Sequence, residues 1–151
     1  MTVAIEHLSL DELKLFLREQ AQDAFPSLRD EDRLNLLAEK WQGHAEFCTC
    51  RLDNGLVGMV AFYANQPENG IVYLPHVYVR SECRGQKIMT SMLQKIEEYS
   101  KEKGFISFRL EVLKSNEIAK KAYSHYGFSY LGEASDKSIY LQLNFPKNDR
   151  M

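Results

Sequence analysis

The residues best suited to chemistry lie where an apolar strand, residues 77–79, leads through a short polar turn into an amphipathic helix. Arg84, Gly85 and Lys87 stand in that turn. The first turn of a helix has unpaired backbone N–H groups and carries the positive end of the helix dipole, so this arrangement suits an anion such as phosphate. Taken alone, the pattern also fits an ordinary strand-to-helix turn with surface cations.

A second motif lies downstream, in the run Leu-Glu-Val-Leu-Lys-Ser-Asn of residues 110–116 and the helix after it. Asn116, Ala119, Tyr123 and the pair Gly127-Phe128 follow one another at fixed spacing. Together with the turn before the first helix, these motifs resemble the GNAT superfamily of acyl-coenzyme A dependent N-acyltransferases. The resemblance covers roughly residues 55–145.

The resemblance implies an α/β fold, a single GNAT domain with a mixed, twisted sheet of about six to seven strands flanked by about four helices. We expect this domain to span residues 1–146, with a loose tail at 147–151. Residues 71–79 predict a strand that Pro75 places at an edge or a bulge, because proline cannot donate a ladder hydrogen bond. The helix after Asn116 is predicted to bury Ile118, Ala119, Ala122 and Tyr126.

Acetyl-CoA is the cosubstrate that the resemblance implies, and we expect no metal because no residues have metal-ligand spacing. Its pantetheine arm would pair with the backbone of a strand that is splayed from its neighbour. Asn116 and Tyr123 would also contact the cofactor. The expected backbone contacts are Val77, Tyr78 and Val79 on the strand and Arg84, Gly85, Gln86, Ile88, Met89 and Thr90 in the loop. Lys87 is expected to contact the phosphates through its side chain. Lys87 and Met89 stand where the family usually has small residues.

Three residues are candidates for catalysis by direct attack of an amine on the thioester. Tyr123 matches the family tyrosine that donates a proton to the departing thiolate, and its other interpretation is a core residue. Glu111 matches a glutamate that serves as base in ribosomal-protein N-terminal alanine acetyltransferases, although Arg109 could hold it in a structural pair. His76 is the rival base, with hydrogen-bonded packing as its alternative role. The base could also be neither residue.

Composition bounds the remaining functions. A chain of 151 residues with 44% hydrophobic and 26% charged residues predicts one globular domain. The sequence shows no membrane span, signal peptide or nucleic-acid-binding pattern, and we expect a cytoplasmic protein with reduced cysteines. Residues 1–55 have net charge -5 and residues 80–151 have net charge +4. This asymmetry favours a cationic small-molecule or peptide amine as acceptor.

Two other functions fit the sequence. A domain that binds coenzyme A as a sensor or scaffold, without turnover, is favoured by the irregular loop of residues 84–89. A plain α/β interaction module would have no affinity for coenzyme A. The acceptor, the acyl group and the oligomeric state are open, and a homodimer is compatible with the sequence.

Overall fold

A computed structural model describes residues 1–85 and 87–147, so Gln86 and residues 148–151, most of the predicted tail, lie outside the described residues. The sequence forms an α/β fold with a seven-stranded mixed sheet, which confirms the predicted fold class. The helices are α1 (Leu10–Ala21), α2 (Glu31–His44), α3 (Ile88–Glu102) and α4 (Glu117–Tyr126). The strands are β1 (Thr2–Ile5), β2 (Glu46–Leu52), β3 (Gly55–Tyr63), β4 (Ile71–Val79), β5 (Ser107–Leu113), β6 (Ser129–Glu133) and β7 (Ser138–Asn144).

The strand order in the sheet is β1-β2-β3-β4-β5-β7-β6. β4 therefore has a neighbour on each side, which excludes the edge position for Pro75 and leaves the bulge as the prediction. The chain groups into two compact units, which we call the first unit (Met1–Tyr63 with His76–Ile96) and the second unit (Ala64–Pro75 with the residues from Glu97 onward).

In the first unit, β1, β2 and β3 form an antiparallel meander, and α1 and α2 contribute to the same apolar core. The β2–β3 turn has positive φ angles of 50° at Asp53 and 68° at Asn54, which Asp and Asn tolerate better than most residues. Ser9 caps α1 by accepting a hydrogen bond from the Glu12 N–H at 3.1 Å. The core contains Leu13, Phe16, Leu17, Leu34, Trp41, Phe47 and Met59.

The three cysteines are all free and buried in the first unit, which confirms the expectation of reduced core thiols. Cys48 and Cys50 lie on β2, and Cys83 precedes the loop that leads to α3. Burial raises the pKa of the Cys48 thiol to about 12 and also raises the pKa of Cys50. These thiols pack as small apolar side chains.

In the second unit, β5, β7 and β6 are antiparallel, whereas the first part of β4 runs parallel to β5. The buried apolar side chains of this unit include Phe105, Phe108, Leu110, Val112, Phe128, Leu141 and Phe145. The predicted burial of the α4 stripe is wrong: Ile118 is 85% exposed, Ala122 is exposed, and no residue of α4 is buried. Hydrophobic periodicity identified the helix, but its apolar positions extend beyond the part that packs on the sheet.

Candidate active site

Glu111 lies near the end of β5, where β4 and β5 separate. Their parallel pairing joins Ile71–Tyr73 to Ser107–Arg109. Past the paired residues, the second unit has a pocket of about 260 Å³. It is lined by Tyr73, Leu74, Pro75, Glu111, Val112, Leu113 and Ser138. The pocket therefore opens where the paired section of the two strands ends.

The carboxylate of Glu111 is held by a serine pair. Ser138 Oγ donates a hydrogen bond to Glu111 Oε2 at 2.5 Å, and it lies 2.8 Å from Ser135 Oγ. Since Ser138 is buried, this contact constrains the carboxylate beside the pocket. The proposed structural pair of Glu111 with Arg109 is wrong, because the Arg109 guanidinium donates instead to Gln142 Oε1.

Two tyrosines that the sequence did not single out accompany Glu111. Tyr73 lines the same pocket, and Tyr140 is directly opposite Glu111 in the β5–β7 register. Burial raises the pKa of Tyr73, and the nearby Glu111 carboxylate raises it further. The signal that could have found Tyr73 is alternation along β4, since Ile71, Tyr73 and Pro75 share one face.

Tyr123 occupies the opposite side of this part of the sheet. Its ring packs edge-on against Phe128 at 5.5 Å between centroids, and Phe128 stacks on Phe108 at 6.1 Å. Phe108 and Glu111 lie on opposite faces of β5, because successive side chains alternate along a strand. The Tyr123 side chain is half-buried as a whole, but its hydroxyl is desolvated, which raises the pKa of this hydroxyl well above its usual value, so it holds its proton at neutral pH.

Asn116 begins α4 as its N-cap. Its Oδ1 accepts a hydrogen bond from the Ala119 N–H at 3.1 Å, the contact that an N-cap side chain makes. This contact occupies the side-chain oxygen and leaves the amide nitrogen as the group that a ligand would use.

The loop before α3 lies in the first unit and has unusual backbone geometry. Gly85 has φ +83° and Lys87 has φ +61°, and the Lys87 carbonyl accepts hydrogen bonds from the Ser91 N–H and hydroxyl at 3.0 Å each. Ile88, at the start of α3, is buried, while Met89 and Thr90 are half-buried. The predicted contact at Gln86 lies outside the described residues.

Arg84 points its side chain toward α1. Its Nη2 forms an ion pair with Asp23 at 2.5 Å, and its Nε donates to the Val79 carbonyl at 2.9 Å. Tyr78 also donates to Asp23, at 2.8 Å, and its side chain is buried, while Val77 and Val79 are half-buried. Arg84 thus occupies one of the two lone pairs of the Val79 oxygen and leaves the other for a ligand N–H.

His76 lies in the core of the first unit, with only 6% of its surface exposed. Its Nε2–H donates to Gln20 Oε1 at 2.5 Å, and its ring lies 4.4 Å from Phe25 and 4.9 Å from Trp41 between centroids. Burial lowers the pKa of His76 to about 4. The structure thus places this histidine in a packing position.

The candidate residues form two sets, one in each unit. The first unit holds His76, the strand backbone of residues 77–79 and the loop before α3. The second unit holds Glu111, Asn116 and Tyr123. Among the described residues, no three His, Cys, Asp or Glu side chains group as metal ligands, and no helix is long and apolar enough to cross a bilayer.

The sequence pattern of the Acetyltransferase (GNAT) family matches residues 13–128. The chain belongs to this family. A thialysine N-epsilon-acetyltransferase of Sus scrofa is 40% identical over 63 residues, which cover 42% of this chain and 37% of that relative. This chain therefore matches little more than a third of that relative's length. An uncharacterized N-acetyltransferase of Schizosaccharomyces pombe is 25% identical over 147 residues, covering 91% and 90% of the two chains.

Solved GNAT structures have the same fold. The PaiA N-acetyltransferase from Thermoplasma acidophilum, in complex with coenzyme A, superposes with a TM-score of 0.74 at 18% identity, covering 96% of this chain and 100% of that one. The GNAT family match in this chain ends at Phe128, before β6 and β7. Ser138, Tyr140 and Gln142 thus lie beyond the matched segment.

Proposed function

We propose that this GNAT protein transfers an acetyl group from acetyl-CoA to an amine by direct attack. The observation that carries the proposal is the pocket where β4 and β5 separate, with Glu111 on its wall. A thioester in this gap would be accessible from both faces of the second unit's sheet. Glu111 lies on one face and Tyr123 on the other, which separates the group that removes a proton from the group that supplies one.

Glu111 takes a proton from the acceptor nitrogen, and the nitrogen lone pair attacks the thioester carbonyl carbon. The new C–N bond forms and the C–S bond breaks, and the thiolate leaves with the bonding electrons. Tyr123, whose hydroxyl is still protonated at this stage because desolvation raises its pKa, gives its proton to that thiolate. Glu111 then releases its proton to solvent, and solvent returns a proton to Tyr123.

The loop before α3 fits the phosphates of acetyl-CoA. Positive φ at Gly85 and Lys87 turns the backbone so that N–H groups can converge near the start of a 15-residue helix. A Cβ added to Gly85 would have no heavy atom within 4 Å, so the backbone there is open to a ligand. Lys87 is exposed and can direct its ammonium to the same anion.

The acceptor is proposed to be cationic. Support comes from the Glu111 carboxylate with Tyr73 and Tyr140 near it, a set that suits an ammonium group. The acidic excess of the N-terminal segment supports it less, since arginines pair with Glu6, Glu12, Glu19, Asp23 and Glu31. The Sus scrofa relative, named for acetylating thialysine, is consistent with an amine acceptor.

The test combines titration with acetyl-CoA and thiol release in the presence of amines. We expect Tyr123→Phe to bind acetyl-CoA like the parent but to turn over roughly 10- to 1,000-fold more slowly, because general-acid assistance is lost. Tyr130→Phe, at an exposed tyrosine of β6, is the matched control. Glu111→Gln should remove the acidic limb of the pH–rate profile, and His76→Gln should retain it.

Three outcomes would contradict this proposal. Acetyl-CoA binding without thiol release from any amine would identify a sensor or scaffold. A chain with no affinity for acetyl-CoA would be an interaction module. Equal rates for the Tyr123→Phe variant and the parent would leave Tyr123 as a core residue.

A further inference from the structure

Arg109 carries a half-buried guanidinium whose partner is a neutral amide. Its Nε and Nη2 donate to Gln142 Oε1 at 3.0 and 2.8 Å. Gln142 Nε2 in turn donates to Asn144 Oδ1 at 3.1 Å, which orients the amide so that its oxygen faces the arginine. Within residues 1–85 and 87–147, Arg109 forms no ion pair with a carboxylate.

This environment differs from that of four other arginines. Arg18, Arg51, Arg80 and Arg84 each form an ion pair with one or two carboxylates at 2.5–3.4 Å. Arg29, like Arg109, donates to a neutral oxygen, the Ala21 carbonyl, at 3.0 Å. A guanidinium has five N–H donors in a rigid, planar arrangement that matches a carboxylate. Arg109 is therefore fixed in place by two hydrogen bonds while its charge is left without a counter-ion.

Arg109 and Glu111 are neighbours on one face of the sheet. The two residues are on the same face of β5, two positions apart, which corresponds to about 7 Å along an extended strand. Tyr73 is directly opposite Arg109 on β4, and it also lines the pocket beside Glu111. A cation and a carboxylate thus follow one another along the face from which the acceptor would approach Glu111.

From these contacts we infer that the acceptor carries a carboxylate, which Arg109 binds while the acceptor's amine is presented to Glu111. The inference rests on the proposed function and specifies its substrate class. A diamino carboxylic acid satisfies both parts, because it is cationic overall and has one carboxylate. Arg109 is then a specificity-determining residue, with Gln142 and Asn144 as the residues that position it.

The experiment compares amines that differ only by a carboxylate. L-Lysine is paired with pentane-1,5-diamine and L-ornithine with butane-1,4-diamine, and kcat/KM is measured for each. We expect the parent to prefer the amino acid of each pair. Arg109→Gln should lower kcat/KM for lysine roughly 10- to 100-fold more than for pentane-1,5-diamine, because a charge-assisted bond is lost.

A second variant tests the inference even if Arg109→Gln does not fold. Gln142→Glu keeps the arginine and the packing but places a carboxylate beside the guanidinium. This carboxylate would compete with that of the acceptor, so Gln142→Glu, like Arg109→Gln, should reduce the preference for lysine over pentane-1,5-diamine. Arg109→Lys should retain part of the preference because it retains the charge. Lys101→Gln, which removes an exposed cation elsewhere in the second unit, should not change the preference.

Three results would overturn the inference. The parent could have the same kcat/KM for the diamines as for the amino acids, or it could acetylate neither amino acid. Alternatively, Arg109→Gln could lower kcat/KM for lysine and for pentane-1,5-diamine by the same factor. A loss confined to acetyl-CoA affinity would assign Arg109 to a phosphate instead. Acetylation of the diamines alone would leave the proposed function intact, whereas absence of acetyl-CoA binding would remove the proposed function itself.

Discussion

Acid should destabilise this protein through His76. An unfolded histidine has a pKa near 6.5, whereas burial against Phe25 and Trp41 lowers the pKa of folded His76 to about 4. The unfolded chain therefore takes up a proton that the folded chain rejects, so stability is retained above pH 6.5 and is lost as the pH falls toward 4. This gap corresponds to about 3 kcal/mol of unfolding free energy.

Urea denaturation of the parent and of His76→Gln at pH 7.0, 5.5 and 4.5 measures this contribution. In the variant, the glutamine at position 76 can still hydrogen-bond to Gln20, but it no longer takes up a proton. Between pH 7.0 and 4.5 the parent should therefore lose about 2 to 3 kcal/mol more unfolding free energy than His76→Gln. The paired carboxylates titrate in both proteins and cancel in the difference. His125→Gln, at an exposed histidine of α4, is the control. Parallel stability curves for the parent and His76→Gln would refute the buried, neutral state of His76.

Two further predictions concern the site. Lys87→Ala should weaken acetyl-CoA binding roughly 2- to 10-fold and make it less sensitive to salt, as measured by titration calorimetry, because an exposed cation is lost. Lys87→Gly also relieves about 1 kcal/mol of left-handed backbone strain, and tighter binding than in the parent would show that the lysine obstructs the site. Ser138→Ala should lower kcat, because the Glu111 carboxylate loses the hydroxyl that holds it in place, while Ser138→Thr should preserve kcat because it keeps a hydroxyl. Equal kcat values for Ser138→Ala and the parent would mean that the serine does not position the base.

Local rules predicted much of the fold. Ser9 before a helix and Asp-Asn-Gly between strands are local signals that depend on a few neighbouring residues, and the structure has a helix cap and a hairpin turn at these residues. The burial of α4 was predicted wrongly because periodicity defines an apolar stripe but not how much of it is covered. For Pro75 the sequence left both an edge and a bulge open, because it does not show which strands lie beside β4.

The candidate site was predictable only in part. Glu111, Asn116 and Tyr123 stand within 13 positions of one another, and a family motif links them. Ser138 lies 27 positions from Glu111, and Gln142 lies 33 from Arg109. Contacts of this kind follow from strand register, which a sequence without structure leaves undetermined. For that reason the sequence left open a pair of Arg109 with Glu111, which the structure does not form.

The buried thiols make the protein a suitable subject for aromatic disulfide reagents. With a pKa of about 12, Cys48 is thiolate in about one molecule in ten thousand at pH 8, and Cys50 and Cys83 are also shielded from solvent. Colour that develops within minutes would then come from released coenzyme A. A slow increase to three equivalents per chain would instead report opening of the first unit, so one cuvette can record both turnover and unfolding.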